Sequence, residues 1–257
     1  MMLLVIDVGN TNITIGVYRE KELIRTFRMT TKQARTSDEY GINLCGLMEH
    51  KGISPQDVEA AIISSVVPDV MHSLGSSLVK YFDIYPLVVT ADLVKNITVK
   101  TDAPGQVGPD RLVDASAAIV KYGGPLIVVD FGTATTYDLV SGEGEFLAGV
   151  TSPGIRLSAR ALWKEAAMLP EIEIRMPKSI LAKETISSMQ AGLVYGYIGQ
   201  TEYIIKKMKE ESGFLDAKVI STGGLGSIFL EGTNCIDVYE PMLTLEGLRI
   251  IYEMQKG

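Results

Sequence analysis

Two carboxylates close apolar runs in this chain, and each opens into a turn of small and hydroxyl-bearing residues. The first run is Leu3-Leu4-Val5-Ile6-Asp7-Val8-Gly9-Asn10-Thr11-Asn12, continuing into Ile13 and Thr14. The second is Leu126-Ile127-Val128-Val129-Asp130-Phe131-Gly132-Thr133-Ala134-Thr135-Thr136. Such a segment can bind phosphate and cations. Glycine lets backbone N–H groups approach phosphate oxygens closely. Asn10 and Thr11 add neutral donors, as Thr133 does in the second copy. Asp7 can hold a divalent cation directly or through water, and the same logic makes Asp130 a second cation ligand. A hairpin turn that needs glycine and asparagine for its geometry would look alike locally. The carboxylate separates the two readings, because an acid closing a buried strand needs a partner. Two such turns facing one another would hold a nucleoside triphosphate between two related domains.

Three further segments bear on chemistry. In Gly108-Pro109-Asp110-Arg111, proline suits a first helical turn. Asp110 is then either a dipole-favoured residue paired with Arg111, or a general base with Arg111 directed at an anionic group. Thr222-Gly223-Gly224 follows the apolar residues 218–221, and its glycines leave room for a planar base or a ribose. A plain strand-exit turn would serve equally. Gly149-Val150-Thr151-Ser152-Pro153-Gly154 ends a strand and opens a helix, where N–H groups can receive an anion or merely turn the chain.

The elements that must position these residues follow from local patterns. Strands are expected over 2–8, 12–18, 23–29, 60–67 and 86–90, with helices over about 37–51, 69–81 and 109–121. Ser37 is the expected cap of the first helix. Residues 96–108 read as irregular, and Gly123-Gly124-Pro125 as a break. The pattern then restarts with strands at 126–130, 134–140 and 145–150. The order strand, strand, strand, helix, strand, helix is expected twice, which divides the 257 residues into 1–122 and 123–257 and gives a mixed α/β fold with ligands in a cleft between halves.

Composition narrows the function classes. Hydrophobic residues make up 46% and charged residues 21%, with a formal net charge of −7; this is an ordinary globular balance and disfavours a nucleic-acid partner, which is held through clustered Lys and Arg. The basic cluster Lys206-Lys207-Met208-Lys209 runs into Glu210-Glu211 and reads as a solvated helix face. Cys45 and Cys235 lack metal-site spacing and are expected to pack as small apolar residues. His50 and His72 read as surface or packing residues, and Trp163 as core or interface. No apolar run reaches the length of a membrane span. Together these features fit a reducing cytoplasm.

Two Asp-Gly turns plus a late Gly-Gly turn resemble the phosphate 1, phosphate 2 and adenosine elements of the superfamily that includes acetate kinase, sugar kinases, heat-shock ATPases and actin. Within it the chain is similar to type III pantothenate kinases. The residues that carry the likeness are Asp7 to Thr11, Gly108 to Arg111, Asp130 to Thr136, Ser152-Pro153-Gly154, Gln190-Ala191-Gly192, Thr222-Gly223-Gly224 and Leu243-Thr244-Leu245-Glu246-Gly247-Leu248. They span almost the whole chain.

The resemblance implies two tandem ribonuclease H-like domains and ATP-dependent phosphorylation of pantothenate, the first step toward coenzyme A. It also implies a homodimer, Mg2+ or another divalent ion with ATP, and a monovalent cation, K+ or NH4+. By position, Asp110 would be the catalytic base and Asp130 the monovalent-cation ligand, with Asp7 at the divalent ion. Residues Asp7, Val8, Gly9, Asn10, Thr11, Asn12, Ile13 and Thr14, together with Thr133 and Gly223, would contact ATP. Gly108, Pro109, Asp110, Arg111, Thr185 and Thr101 would contact pantothenate. The chain departs from the family pattern at Pro109, where alanine is common, at Thr101, where many members carry an aromatic, and at Ala166-Ala167, where Thr-Ala is frequent. Family members have also been described as transcriptional accessory factors, a role the acidic balance does not support. A different kinase or phosphatase of the superfamily and a non-catalytic nucleotide-binding protein are the competing classes.

Overall fold

The computed structural model describes residues 1–256, arranged in two compact units. One unit holds Met1–Ile97, Ala103–Ala117 and the chain from Leu243 onward; the other holds Thr98–Asp102 and Ala118–Met242. The division read from the sequence differs at three segments: 98–102 and 118–122 go with the second unit, and the last helix goes with the first. A local pattern reveals an element but not the surface it packs on.

In the first unit, β1 (Met2–Val8), β2 (Asn12–Arg19) and β3 (Glu22–Thr30) form an antiparallel meander. Then come α1 (Ser37–Glu49), β4 (Ala60–Ser65), α2 (Pro68–Phe82) and the two-residue β5 (Leu87–Val88). The sheet order is β3-β2-β1-β4-β5, with β4 parallel to β1. Alternation along β1 divides its side chains between two faces. Leu4, Ile6 and Val8 pack with Tyr40 and Leu44 of α1 and Leu74 and Leu78 of α2. Leu3, Val5 and Asp7 therefore point to the opposite face. That face is covered by the last helix, α7 (Leu243–Met254): Leu245 packs at Gly16, and the Tyr18 hydroxyl donates to Glu246 (3.1 Å). The backbone of Gly247 lies so close to the Val113 carbonyl that a Cβ there would collide with it.

Several expected boundaries moved. Thr36, not Ser37, caps α1: its hydroxyl accepts the Glu39 N–H (3.3 Å) and the Glu39 carboxylate accepts the Thr36 N–H (2.7 Å), a reciprocal capping box. The strand expected over 86–90 shrinks to Leu87–Val88, and the one over 60–67 ends at Ser65.

In the second unit the meander recurs as β7 (Leu126–Phe131), β8 (Ala134–Val140) and β9 (Glu145–Pro153). The connecting α3 (Pro109–Tyr122) starts in the first unit and ends in the second. Short β6 (Thr98–Val99) pairs in parallel with β9, which explains why 98–102 belongs here. After β9 come α4 (Ile155–Glu165), the 28-residue α5 (Thr185–Ser212), β10 (Lys218–Thr222), α6 (Gly226–Leu230) and β11 (Val238–Tyr239). The sheet order is β11-β10-β7-β8-β9-β6. Two helices, rather than the expected one, separate the third and fourth strands. Ile127, Val129, Phe131, Tyr137 and Val219 pack against α4, α5 and α6, which leaves Val128, Asp130 and Thr222 on the other face.

His50 and His72 are exposed, Trp163 is half-buried against the second core, and both cysteines are free and half-buried in apolar surroundings. Lys206 and Lys207 both pair with Glu210 on the surface of α5. Among the described residues no helix is long and apolar enough to cross a membrane.

Candidate active site

The first carboxylate turn is braced from two sides. The Gly9 N–H donates to the Asn12 carbonyl (3.0 Å), closing the turn. Thr31, just past β3, donates its hydroxyl to the Gly9 carbonyl (2.7 Å) and its N–H to the Thr11 carbonyl (3.0 Å). The carbonyls are thus occupied from behind. Asn10 is exposed and Asp7 half-buried. Asp7 lies in register with Thr14 on β2 and with Ser64 on β4. Residues in register across a sheet share a face, so this carboxylate stands between two hydroxyl-bearing side chains.

The Gly108-Pro109-Asp110-Arg111 turn comes to the same end of the same sheet. The Val66 N–H donates to the Val8 carbonyl (3.1 Å), and Gly108 faces the Val66 side chain. The Asp110 carboxylate accepts the Arg111 backbone N–H (2.9 Å) and crowds Gly108, where a Cβ would stand 2.5 Å from Oδ1. Burial raises the Asp110 pKa above the ordinary carboxylate value, while that N–H and the Arg111 charge oppose the rise. The result is a desolvated acid at a helix start, where the dipole favours its anion. Arg111 is half-buried.

In the second unit the Asp130 turn is enclosed by backbone. Gly223, at φ +92°, lies where a Cβ would be 2.5 Å from Asp130 Oδ1. Gly132 lies against Oδ2, at 3.1 Å by the same measure. The Gly154 N–H donates to the Thr133 carbonyl (3.0 Å), and a Cβ on Gly154 would collide with the carbonyls of Gly132 and Thr133. The Tyr239 hydroxyl, from β11, donates to the Gly223 carbonyl (3.0 Å). So the Asp-Gly-Thr turn, the Ser152-Pro153-Gly154 turn and the Gly-Gly turn form one cluster, and only small backbone could pack that way. Asp130 is flanked in register by Thr136 on β8 and Thr222 on β10, repeating the arrangement at Asp7.

Two of the expected substrate residues lie elsewhere in this unit. Thr185 starts α5 and lines a cavity of about 560 Å³ with Ser158, Leu162, Leu169, Met189 and Gly192. Thr101, two residues beyond β6, is half-buried, and its hydroxyl has no hydrogen-bond partner. Sequence reasoning missed Thr31 and Ser64. The Ser-Ser pair ending the apolar strand Ala60-Ala61-Ile62-Ile63 was the available signal for Ser64.

A five-stranded order of 3-2-1-4-5, present in each sheet and carrying the carboxylate turn between its first two strands, defines the fold class: two ribonuclease H-like units. A glucokinase of the ROK family from Streptomyces griseus, solved with glucose and AMPPNP, shares this fold at TM-score 0.54 and 14% identity, with 100% of both chains covered. A Campylobacter jejuni protein described as a Baf family transcriptional activator matches at TM-score 0.59 and 18% identity, with 98% of each chain covered.

Sequence is more specific than fold. This chain belongs to the type III pantothenate kinase family, whose model matches residues 3–207. It is 57% identical to the type III pantothenate kinase of Agathobacter rectalis over 254 residues, covering 99% of this chain and 98% of the relative.

Proposed function

We infer that this protein is an ATP-dependent pantothenate kinase, which transfers the γ-phosphoryl group of ATP to the pantothenate hydroxyl and so opens coenzyme A synthesis. The observation that carries the reading is the half-buried, desolvated Asp110 at the start of α3, beside the strand ends that carry the Asp7 turn, in a chain 57% identical to a pantothenate kinase along 99% of its length. Asp110 takes the hydroxyl proton as the oxygen bonds to phosphorus, and the bond from phosphorus to the β-bridging oxygen breaks to release ADP. The transition state is loose, so alignment and charge neutralisation dominate. Arg111 fixes the pantothenate carboxylate, with Gly108 and Pro109 shaping the approach and Thr101 and Thr185 as further substrate contacts.

In the first unit, Asp7 to Thr14 receive phosphate groups; in the second, Thr133 and Gly223 receive the nucleotide. The two units serve as the two ATPase domains, a reading that the matching strand order of their sheets supports. The chain offers Asp7 and flanking hydroxyls but, among the described residues, no cluster of three or more His, Cys, Asp or Glu. That fits Mg2+, which takes one or two carboxylates plus phosphates and water. When bound, such an ion neutralises phosphate charge. Asp130, with Gly132 and Gly223 against its two oxygens, fits a potassium or ammonium ion: the cradle is one that any Cβ would fill.

A homodimer is supported by the exposed apolar side chains of Val150, Leu157 and Leu162 on β9 and α4. A cytoplasmic setting suits the two free cysteines. The deciding experiment is an ADP-release assay with pantothenate, with and without potassium. Turnover only with pantothenate supports the reading; turnover with a sugar, or ATP hydrolysis without an acceptor, overturns it.

A further inference from the structure

Ser64 is 0% exposed, and its Oγ has no hydrogen-bond partner. Native chains leave few buried hydroxyls unpaired, because each gives up its bond to water. The neighbouring Ser65 shows the contrast: its hydroxyl accepts the Val67 N–H (3.1 Å) and so supports the turn into α2. No such local task accounts for Ser64. Its place in the sheet does. Ala61 and Ile63 point into the core beneath α1 and α2, so Ser64 points to the opposite face, beside Asp7, with which it is in register.

The second unit supplies an independent observation. There the strand in the same position, β10, places Thr222 beside Asp130 in the same register. Thr222 is 2% exposed. The two strands differ in sequence, Ala60-Ala61-Ile62-Ile63-Ser64-Ser65 against Lys218-Val219-Ile220-Ser221-Thr222. Both nevertheless deliver a buried hydroxyl to the flank of a turn carboxylate.

We propose that Ser64 is a positioning residue for the cation site at Asp7: its hydroxyl donates to the Asp7 carboxylate when a divalent cation and nucleotide are bound, and holds that carboxylate toward the ion. This rests on the reading of Asp7 as the divalent-cation residue. In the ligand-free chain the hydroxyl stands unpaired; the bound state satisfies it. Hydrogen bonds that orient a metal-binding carboxylate commonly govern metal affinity by about 10–100-fold.

The test is calorimetric titration with a non-hydrolysable ATP analogue, with Mg2+ and with chelator, on the wild type, Ser64→Ala and Ser64→Thr. Ser64→Ala should weaken Mg2+-dependent binding about tenfold. Binding in chelator should be unchanged, and the ligand-free melting temperature equal or higher. Ser64→Thr, which keeps the hydroxyl as β10 does, should restore the affinity. In turnover the KM for Mg·ATP should rise with little change in kcat. Three results overturn the proposal: equal Mg2+-dependent affinity in Ser64→Ala and wild type, an equal loss with and without Mg2+, or a lowered ligand-free melting temperature with affinity retained. A wild type that binds nucleotide without regard to Mg2+ sinks the cation reading itself. Pantothenate turnover by the wild type tests the kinase assignment separately.

Discussion

Asp110 combines burial with a helix start, and its consequences can be measured one at a time. General-base assistance is worth about 10²–10⁴-fold, so Asp110→Asn should lower kcat by about that factor while nucleotide affinity stays within about twofold, read by steady-state kinetics beside calorimetry. The pH dependence has a definite sign. Burial raises the carboxyl pKa above its ordinary value of 3.8, and in the proposed base role Asp110 acts as an anion. Activity should therefore fall as pH drops through the raised value, so the acid limb of kcat/KM should lie above the pKa of an unburied aspartate. The same shift acts oppositely on folding. The folded state holds this proton more tightly than the unfolded state, so the contribution to stability is present at low pH and is lost as pH rises through the folded value. Above that window, ligand-free Asp110→Asn should melt no lower than wild type. An acid limb at the same pH in a slow Asp110→Asn variant would assign it to another group.

At the scale of elements, the glycine cluster around Asp130 does what no side chain could. Gly223→Ala would place a Cβ at 2.5 Å from the carboxylate at a backbone angle of φ +92°. The left-handed backbone alone costs about 1–2 kcal/mol. We expect a lower melting temperature together with loss of nucleotide binding; a variant that melts like wild type and binds nucleotide would show that the turn has room to move. The proposed cation site at Asp130 makes a second prediction: wild-type turnover should require potassium or ammonium and be poor in sodium alone, so equal rates in all three salts would argue against a dedicated site. Much of this was legible in the chain. The strands β1 and β7, with their Asp-Gly turns, are local patterns of apolar run, acid and small residue, and those survive inspection without coordinates. The α1 cap was legible but passed over: Thr36 and Ser37 are chemically alike, and Glu39, three residues beyond Thr36, selects Thr36 by the capping-box spacing. The partnership of Ser64 with Asp7 was invisible because register joins residues 57 positions apart. Gly132, Gly154 and Gly223 lie in three turns that the sequence offers separately; only folding reveals that they share one cluster around the Asp130 carboxylate.

At the scale of the molecule, the sequence division into 1–122 and 123–257 captured the internal repeat but missed which unit owns the last helix. Periodicity marks α7 as a helix; its burial against Gly16 and Val113 is a long-range fact. The exposed apolar side chains on β9 and α4 lead to one further expectation, that the protein runs as a dimer by light scattering and that Leu157→Glu with Leu162→Glu shifts it toward monomer. A wild type that is monomeric at assay concentrations would remove the homodimer from the functional reading. Because α7 covers the sheet face that carries Asp7, and because the whole of the second unit precedes it in the chain, the order of synthesis matters. A ribosome must deliver the second unit before the first can be sealed, so a released chain truncated after Met242 should yield a protease-resistant fragment from the later-made portion while the earlier-made portion is still digested.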